Sequence, residues 1–500
     1  VTNTDEQLQQ GKGPRNQWKT LDKDLGRISI LEQASATVSR PLVAPGLALL
    51  FVVAVAMIAL SLIGASSSGL VIVGAAVVAA YMALNIGAND VANNMGPAVG
   101  AKALTMGSAL VIAAVFETAG ALIAGGDVVS TISSGIVSPA AVQDSATFVW
   151  LMLSALIAAA LWINVATILG APVSTTHSVV GGVVGAGVVA AGFNAVNWWQ
   201  MTSIAASWVI SPVMGGVVAA LLLAFIKAKI AYVDDKIAAA RKWVPVLIGL
   251  MAGVFATYLA MKGLRRIIDI DATMALWIGV GVGIFSWFAS RPMIERQSRG
   301  LENRKKSLRT LFAAPLIISA ALLSFAHGAN DVANAVGPLA AVVHTVQMGD
   351  VSSSVHIPTW VMVIGAVGIS LGLLLFGPKL IMLVGDQITK LNPMRAYCVA
   401  LSAAVTVIIA SWLGLPVSST HIAVGGIFGV GFFREWHAER RARMLGLQKG
   451  KVVSPDERRR RKLVRRSHAV TVAAAWVITV PFSALLSAGI YYLLSHLTLG

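Results

Sequence analysis

The sequence predicts an all-α polytopic membrane protein of two inverted-topology repeats, with about 12 core transmembrane helices plus one extra N-terminal span. Three observations carry this. Of 500 residues, 57% are apolar and only 12% charged, about half the charged share of a soluble chain. The apolar residues fall in blocks such as 42–64, 148–168, 203–226, 359–377 and 469–497, roughly the 17–25 residues that span a bilayer core as helix. Two pairs of motifs also recur in the same order, half a chain apart. The blocks lack ten-residue alternation, which excludes a transmembrane β-barrel.

The elements follow in order. Residues 1–41 are polar and lack the apolar core and cleavage site of a signal peptide, so they read as a cytoplasmic tail. An extra span at 42–64 precedes the first repeat, 69–226, with spans at 69–86, 108–125, 148–169, 172–190 and 203–226. A central linker, 227–309, carries spans 243–262 and 274–290 between basic loops. The second repeat, 310–433, has spans 310–328, 359–377, 396–413 and 417–433. A basic loop, 434–468, leads to a last helix at 469–497.

Charge sets the expected orientation. The formal net charge is +16, with Lys and Arg concentrated in 1–41, 227–242, 291–309 and 434–466. The run Arg458 to Lys462 has the look of a nucleic-acid or targeting signal. Lying between hydrophobic spans, it reads instead as a cytoplasmic loop under the positive-inside rule, and no nucleic-acid partner is expected. Loops 126–147, 191–202 and 343–358 hold no Lys or Arg, and in the 263–273 loop Arg265 and Arg266 are balanced by Asp269 and Asp271. The expectation is a multi-pass inner (plasma) membrane protein with its N-terminus inside. Cys398 is the single cysteine, which excludes an internal disulfide and a Cys-based metal site.

The repeats are explicit. Residues 87–97 read GANDVANNMGP and 328–338 read GANDVANAVGP, identical at nine of eleven positions. Residues 170–187 read GAPVSTTHSVVGGVVGAG and 414–431 read GLPVSSTHIAVGGIFGVG, identical at eleven of eighteen. By the charge-derived topology, the spans leading into the two copies run in opposite directions. Inverted repeats around a midplane site are the pattern of secondary transporters.

Each motif suggests a chemistry. Pro172 and Pro416, each following a glycine (Gly170, Gly414), predict a broken span and a new helix N-terminus. Free N–H groups gather there, and Ser174, Thr175, Thr176, Ser418, Ser419 and Thr420 add donors without fixed charge, suited to a releasable oxyanion. The same residue types also cap helices. Asn89, Asp90, Asn93, Asn330, Asp331 and Asn334 sit at the ends of apolar spans, where a carboxylate is costly without a partner. With backbone carbonyls unwound at Gly87, Gly96, Gly328 and Gly337, their oxygens would hold a monovalent cation. A cation beside an anion offsets the burial of both, which is the physical content of symport. Glu117, His177 and His421 are candidates for the pathway, with Asn164 and Gln387 behind them; Lys102 reads as snorkelling to the surface. Two histidines without an acidic neighbour make a poor zinc signature, so no metal beyond a sodium ion is expected. The glycines at 181, 182, 185, 187, 425, 426, 429 and 431 read as helix packing.

At these residues the sequence resembles the inorganic phosphate transporter (PiT) family, whose pattern is GANDVAN with PVSTTH or PVSSTH in both halves, over 69–497. The resemblance implies inverted repeats, a homodimer, no cofactor, and phosphate uptake driven by sodium or protons. It further implies that the Ser/Thr clusters hold phosphate and that Asp90 and Asp331, with neighbouring Asn residues, serve the cation. Its nearest rival is a sulfate permease. Phosphate keeps a proton at neutral pH and can donate to Asp90 or Asp331, whereas sulfate cannot, and a site built of acceptors rejects the anion lacking a donor. An enzyme with Ser174 or Ser418 as nucleophile would need an oriented base, and inverted duplication serves no hydrolase. A channel would need a polar stripe along a span, and none is present.

Overall fold

A computed structural model of the chain describes residues 42–138, 141–142, 144–169, 173–264, 268–349, 355–387, 392–444 and 466–498. The tail 1–41, Gly170, Pro172, Arg265, Arg266 and most of the basic loop after Met444 lie outside the described residues. The chain divides into two compact units, 1–51 and 52–500. The described part of the first is the opening of helix α1, Leu42–Ile63.

The described regular structure is helical, apart from one isolated bridge, Val137 to Val196. The order continues α2 Ser67–Gly100, α3 Met106–Ala124, α4 Gly126–Ser130, α5 Ser145–Leu169, α6 Thr175–Ala191 and α7 Trp198–Ile226. The linker forms α8 Lys236–Lys262 and α9 Ala272–Ser298, packed on each other. Then come α10 Leu308–Leu311, α11 Ala313–Met348, α12 Thr359–Gln387, α13 Pro393–Trp412, α14 Ser419–Met444 and α15 Arg466–Thr498. Eleven helices among the described residues are long and apolar enough to cross a bilayer.

The two halves exchange partners. Helix α2 packs on α12, and its repeat α11 packs on α3; α6 packs on α15, and its repeat α14 packs on α7. Glycines mark each crossing. A Cβ on Gly328 would strike the Glu117 carbonyl, and one on Gly87 would strike the Ile369 carbonyl. A Cβ on Gly185 would strike Ala484, and one on Gly429 would strike Gly216. Such close approach lets backbones meet where apolar burial alone gives no drive in lipid.

Three expectations need correction. The unwinding expected around GANDVAN does not occur. Helix α2 runs unbroken for 34 residues and α11 for 36, through both motifs. Unwinding here would strand backbone polar groups in a buried interior. Consequently Gly87 and Gly328 serve close packing, and the predicted span ends at 86 and 328 fall in mid-helix.

The third correction concerns 172–190 and 417–433, expected to cross. Helix α6 has 17 residues, roughly 25 Å, short of a bilayer core. It folds back antiparallel on α5: Gly182 lies against Ala155, and Gly187 against Leu151. Both ends of this hairpin share one base, where Asn197 N donates to Ile136 O at 2.8 Å and Ser138 N to Ala195 O at 2.8 Å. Helices α13 and α14 form a second hairpin. The tips meet inside the protein, where the Thr176 hydroxyl donates to Val417 O at 3.0 Å. A tip that had crossed would emerge at the far face, whereas Ser174, Thr176, Ser418 and Ser419 are all buried.

The hairpins point in opposite senses. Helix α7 sets out from the base of the first hairpin. Helix α14 leaves the tip of the second and runs parallel to α7, with Gly425 on Pro212 and Gly429 on Gly216. The second base therefore lies at the opposite end. A hairpin that turns back leaves its flanking loops on the same sides as two full crossings, so the charge-based sidedness of the loops is unaffected.

Replacing Gly328 by valine should force α3 and α11 apart. Overpacking of this kind costs about 1–3 kcal/mol. Thermal unfolding of the purified variant in detergent should show a lowered midpoint; an unchanged midpoint would mean the helices separate freely at this crossing.

Candidate functional site

The helix ends at the hairpin tips supply the first set of groups. Ser174 caps α6, its hydroxyl oxygen accepting from His177 N at 3.2 Å, and Ser418 does the same for His421 N at 3.4 Å. Each hydroxyl spends an acceptor on the cap and keeps its proton for another partner. The second tip is clamped by Asn330. Its amide donates to Leu415 O at 3.1 Å and to the Ser411 hydroxyl at 3.0 Å, and its oxygen accepts from Val417 N at 3.1 Å. Gly414, at φ +67, makes the turn that no other residue adopts as easily. The Trp208 indole donates to Pro416 O at 3.0 Å.

The middle of α2 and α11 supplies the second set. Asp90 accepts from Thr175 of its own half at 3.2 Å and from Thr420 of the other at 3.0 Å. Asp331 accepts from Ser419 at 3.3 Å, the repeat of the Asp90–Thr175 bond. Asn93 donates to Thr420 at 2.8 Å; Asn334 donates to Thr176 at 3.2 Å and Thr175 at 3.3 Å. Hydroxyl motif and acidic motif thus form one interlocked centre. Asp331 Oδ1 and Asn334 Oδ1 are buried and accept no hydrogen bond among the described residues.

His327 was not a candidate from sequence, and it stands at the centre. Its Nε2 lies 2.8 Å from Asp331 Oδ2 and 3.9 Å from Asp90 Oδ2. Its Nδ1 lies 3.3 Å from Glu117 Oε1, which also accepts from Asn94 at 2.9 Å. Asp90, His327 and Asp331 bring one ligand atom each within 4.8 Å of one another, enough to hold a cation. The imidazole departs from an all-oxygen set. The signal for His327 was its position: it directly precedes the second GANDVAN, where Ile86 precedes the first.

This limb is one-sided. The helix crossings equate Glu117 with Ile369, because Gly328 faces the first and Gly87 the second. Asn94 directly follows the first GANDVAN where Ala335 follows the second. Asn94, Glu117 and His327 are therefore matched by Ala335, Ile369 and Ile86.

The remaining candidates lie apart. His177 and His421 face each other behind the tips, ring centroids 4.6 Å apart, with His177 also against Trp208 at 3.9 Å. Asn89 makes no hydrogen bond among the described residues, unlike its repeat Asn330; the segment it would clamp, 170–172, lies outside them. Asn164 reaches Asn85 at 3.4 Å. Lys102 is exposed in a left-handed turn at φ 60 after α2. The side chain of Gln387 lies outside the described residues.

Two opposed hairpins whose tips meet over buried carboxylates define a multi-pass membrane transporter, not an enzyme. Residues 86–487 match the phosphate transporter family (PHO4), and the chain belongs to that family. A "Putative phosphate permease" of Helicobacter pylori (strain J99) is 50% identical over 436 residues, 86% of this chain and 81% of its own. A like-named protein of Pyrococcus abyssi (strain GE5) is 37% identical over 413 residues, 83% of this chain and 95% of its own. The solved structure of "The sodium-dependent phosphate transporter" superposes with a TM-score of 0.76 at 34% identity, covering 85% of this chain and 99% of that one.

Glu117→Ala should strand the Asn94 amide, which donates to Glu117 Oε1, at about 1–3 kcal/mol, and remove the carboxylate facing His327 Nδ1. Replacing Asn94 and Glu117 together by their counterparts, Asn94→Ala with Glu117→Ile, leaves His327 on Asp331 and should recover most of that loss. Thermal unfolding of the single and double variants checks this; a double variant less stable than the single would mean the Asn94–Glu117 pair is not interchangeable with its repeat.

Proposed function

We propose that the chain imports inorganic phosphate in symport with a monovalent cation, sodium or a proton. The observation that carries this reading is the interlocked centre. Two helix N-termini with their hydroxyls face each other inside the protein and offer donors to an oxyanion. Asp90, Asp331 and Asn334 offer oxygens, two of them without a donor among the described residues, to a cation. Thr175 and Thr420 touch Asp90 directly, so anion and cation would sit within one bonded network. Each ligand then improves the environment of the other, and the two affinities are linked.

The opposed hairpins support a mechanism of alternating access. The bonds between halves, such as Asn93 to Thr420 and Asn334 to Thr176, are the contacts that would break and re-form as the halves move. In the orientation that charge favours, the N-terminus and the basic loops 227–242, 291–309 and 434–466 face the cytoplasm of a plasma-membrane protein. The name of the structural relative favours sodium as the coupling ion.

Radiolabelled phosphate uptake into proteoliposomes, with sodium and pH gradients imposed separately, tests this. Phosphate should accumulate, arsenate should compete, and excess sulfate should compete poorly. Sulfate uptake without phosphate uptake would sink the reading. Ser174→Ala, which removes a hydroxyl proton not committed to a carboxylate, should lower phosphate affinity at least about tenfold, since a bond to a charged group is worth about 1.5–3 kcal/mol. Asp331→Asn should abolish the strengthening of phosphate binding by the cation; if the strengthening persists, Asp331 has no part in coupling.

In a Cys398→Ser background, single cysteines in 227–235 and in 126–135 should label from opposite sides of a sealed vesicle. Labelling of both from one side would overturn the orientation argument.

A further inference from the structure

On the outer surface of the bundle, away from the centre, α7 and α14 run side by side with a groove of about 670 Å3 between them. Its α14 wall rises at helical spacing through Val424, Phe428, Phe432 and Trp436. One further step of four reaches Arg440. Its α7 wall includes Val213 and Ala220, and seven residues on, on the same face, is Lys227. Since the helices are parallel, both walls end in a cation at the same end of the molecule.

These cations are held over the groove's own aromatic rings. Lys227 Nζ stands 4.9 Å from the Phe433 ring centroid, and the Arg440 guanidinium 5.3 Å from that of Trp436. Arg395 and Arg434 stand close enough to Lys227 to repel it, and all three are half-buried. Among the described residues, none of these four cations forms an ion pair; Glu439 is paired with Arg443, and Glu435 acts on Arg434, which leaves Lys227 and Arg440 without an acid. Half-buried, mutually repelling cations are costly unless an anion joins them.

We propose that the α7–α14 groove binds one anionic phospholipid, its acyl chain along the apolar seam and its phosphate between Lys227 and Arg440, the two cations on the groove's own faces. The occupant follows from the two chemistries in register: an apolar trough for a hydrocarbon chain, and cations only at one end. A second copy of this chain fits less well. A twofold axis along the membrane normal would bring two clusters of like charge together at one end. A neutral phospholipid would fill the trough and leave the cations uncompensated. The cationic end belongs to the basic loops 227–242 and 434–466, which charge places at the inner leaflet, where anionic lipids are enriched.

Mass spectrometry of the intact protein in mild detergent tests this, with phosphatidylglycerol and phosphatidylcholine added in graded amounts and glycerol 3-phosphate as a chain-free headgroup. Phosphatidylglycerol should be retained about tenfold more tightly than phosphatidylcholine, at roughly the strength expected of one or two cations near a lipid phosphate. The variant Lys227→Gln with Arg440→Gln should bind both lipids alike. Ala220→Phe, which fills the trough and leaves the charges, should lose both. Each variant acts on a different half of the site, so a folding defect in one leaves the other decisive. Equal binding of the two lipids by the unmodified protein would overturn the proposal. So would a preference that survives loss of the two cations, or displacement of phosphatidylglycerol by equimolar glycerol 3-phosphate. A dimer that carries no lipid and is broken by Ala220→Phe would show that the groove holds a second copy.

Discussion

Carboxylates in the middle of long buried helices govern this architecture. Asp90 and Asp331 lie well inside α2 and α11 and are buried. An unpaired carboxylate there costs several kcal/mol, so other elements must bring it donors. The hairpin tips do this. They carry Thr175, Ser419 and Thr420 into the centre, and they can arrive only because each hairpin turns back before crossing. The re-entrant shape, the meeting of the tips and the exchange of bonds between halves follow from that one requirement.

The exchange also explains the glycines. For hydroxyls on a hairpin to reach Asp90, the helices on either side must lie almost backbone to backbone. Gly185 against Ala484 and Gly429 against Gly216 give that proximity on the hairpin side. Gly328 against Glu117 gives it on the α3–α11 side, and places the Glu117 backbone where its side chain meets His327. One contact therefore sets both a packing distance and a polar limb of the site.

Duplication here is not identity. The hydroxyl and acidic motifs are nearly the same in both halves, so the anion-facing part of the centre is close to symmetric. The Asn94, Glu117 and His327 limb is polar on one side and apolar on the other. A symmetric pocket treats its two approaches alike, whereas a one-sided limb makes the two ends of the site electrostatically different. That difference suits a carrier whose ligands bind from one side and leave on the other.

The sequence by itself determined the helical class, thirteen of the fifteen described α-helices and the duplicated motifs, because apolar block length and exact repetition are local properties of the chain; the short α4 and α10 carry no such signal. It also singled out most residues of the centre, since Asp and Asn in an apolar span are conspicuous by their cost. What it left open depends on partners distant in the chain. The continuity of α2 and α11 through glycine-rich motifs is decided by burial, which removes the water that would satisfy an unwound backbone. The return of α6 along α5 is decided by the second tip, which occupies the space a crossing helix would need. His327 carries no local mark beyond its position before a motif. Only the packing of α3 against α11 sets it between Glu117 and Asp331, and so only the tertiary structure makes it part of the site.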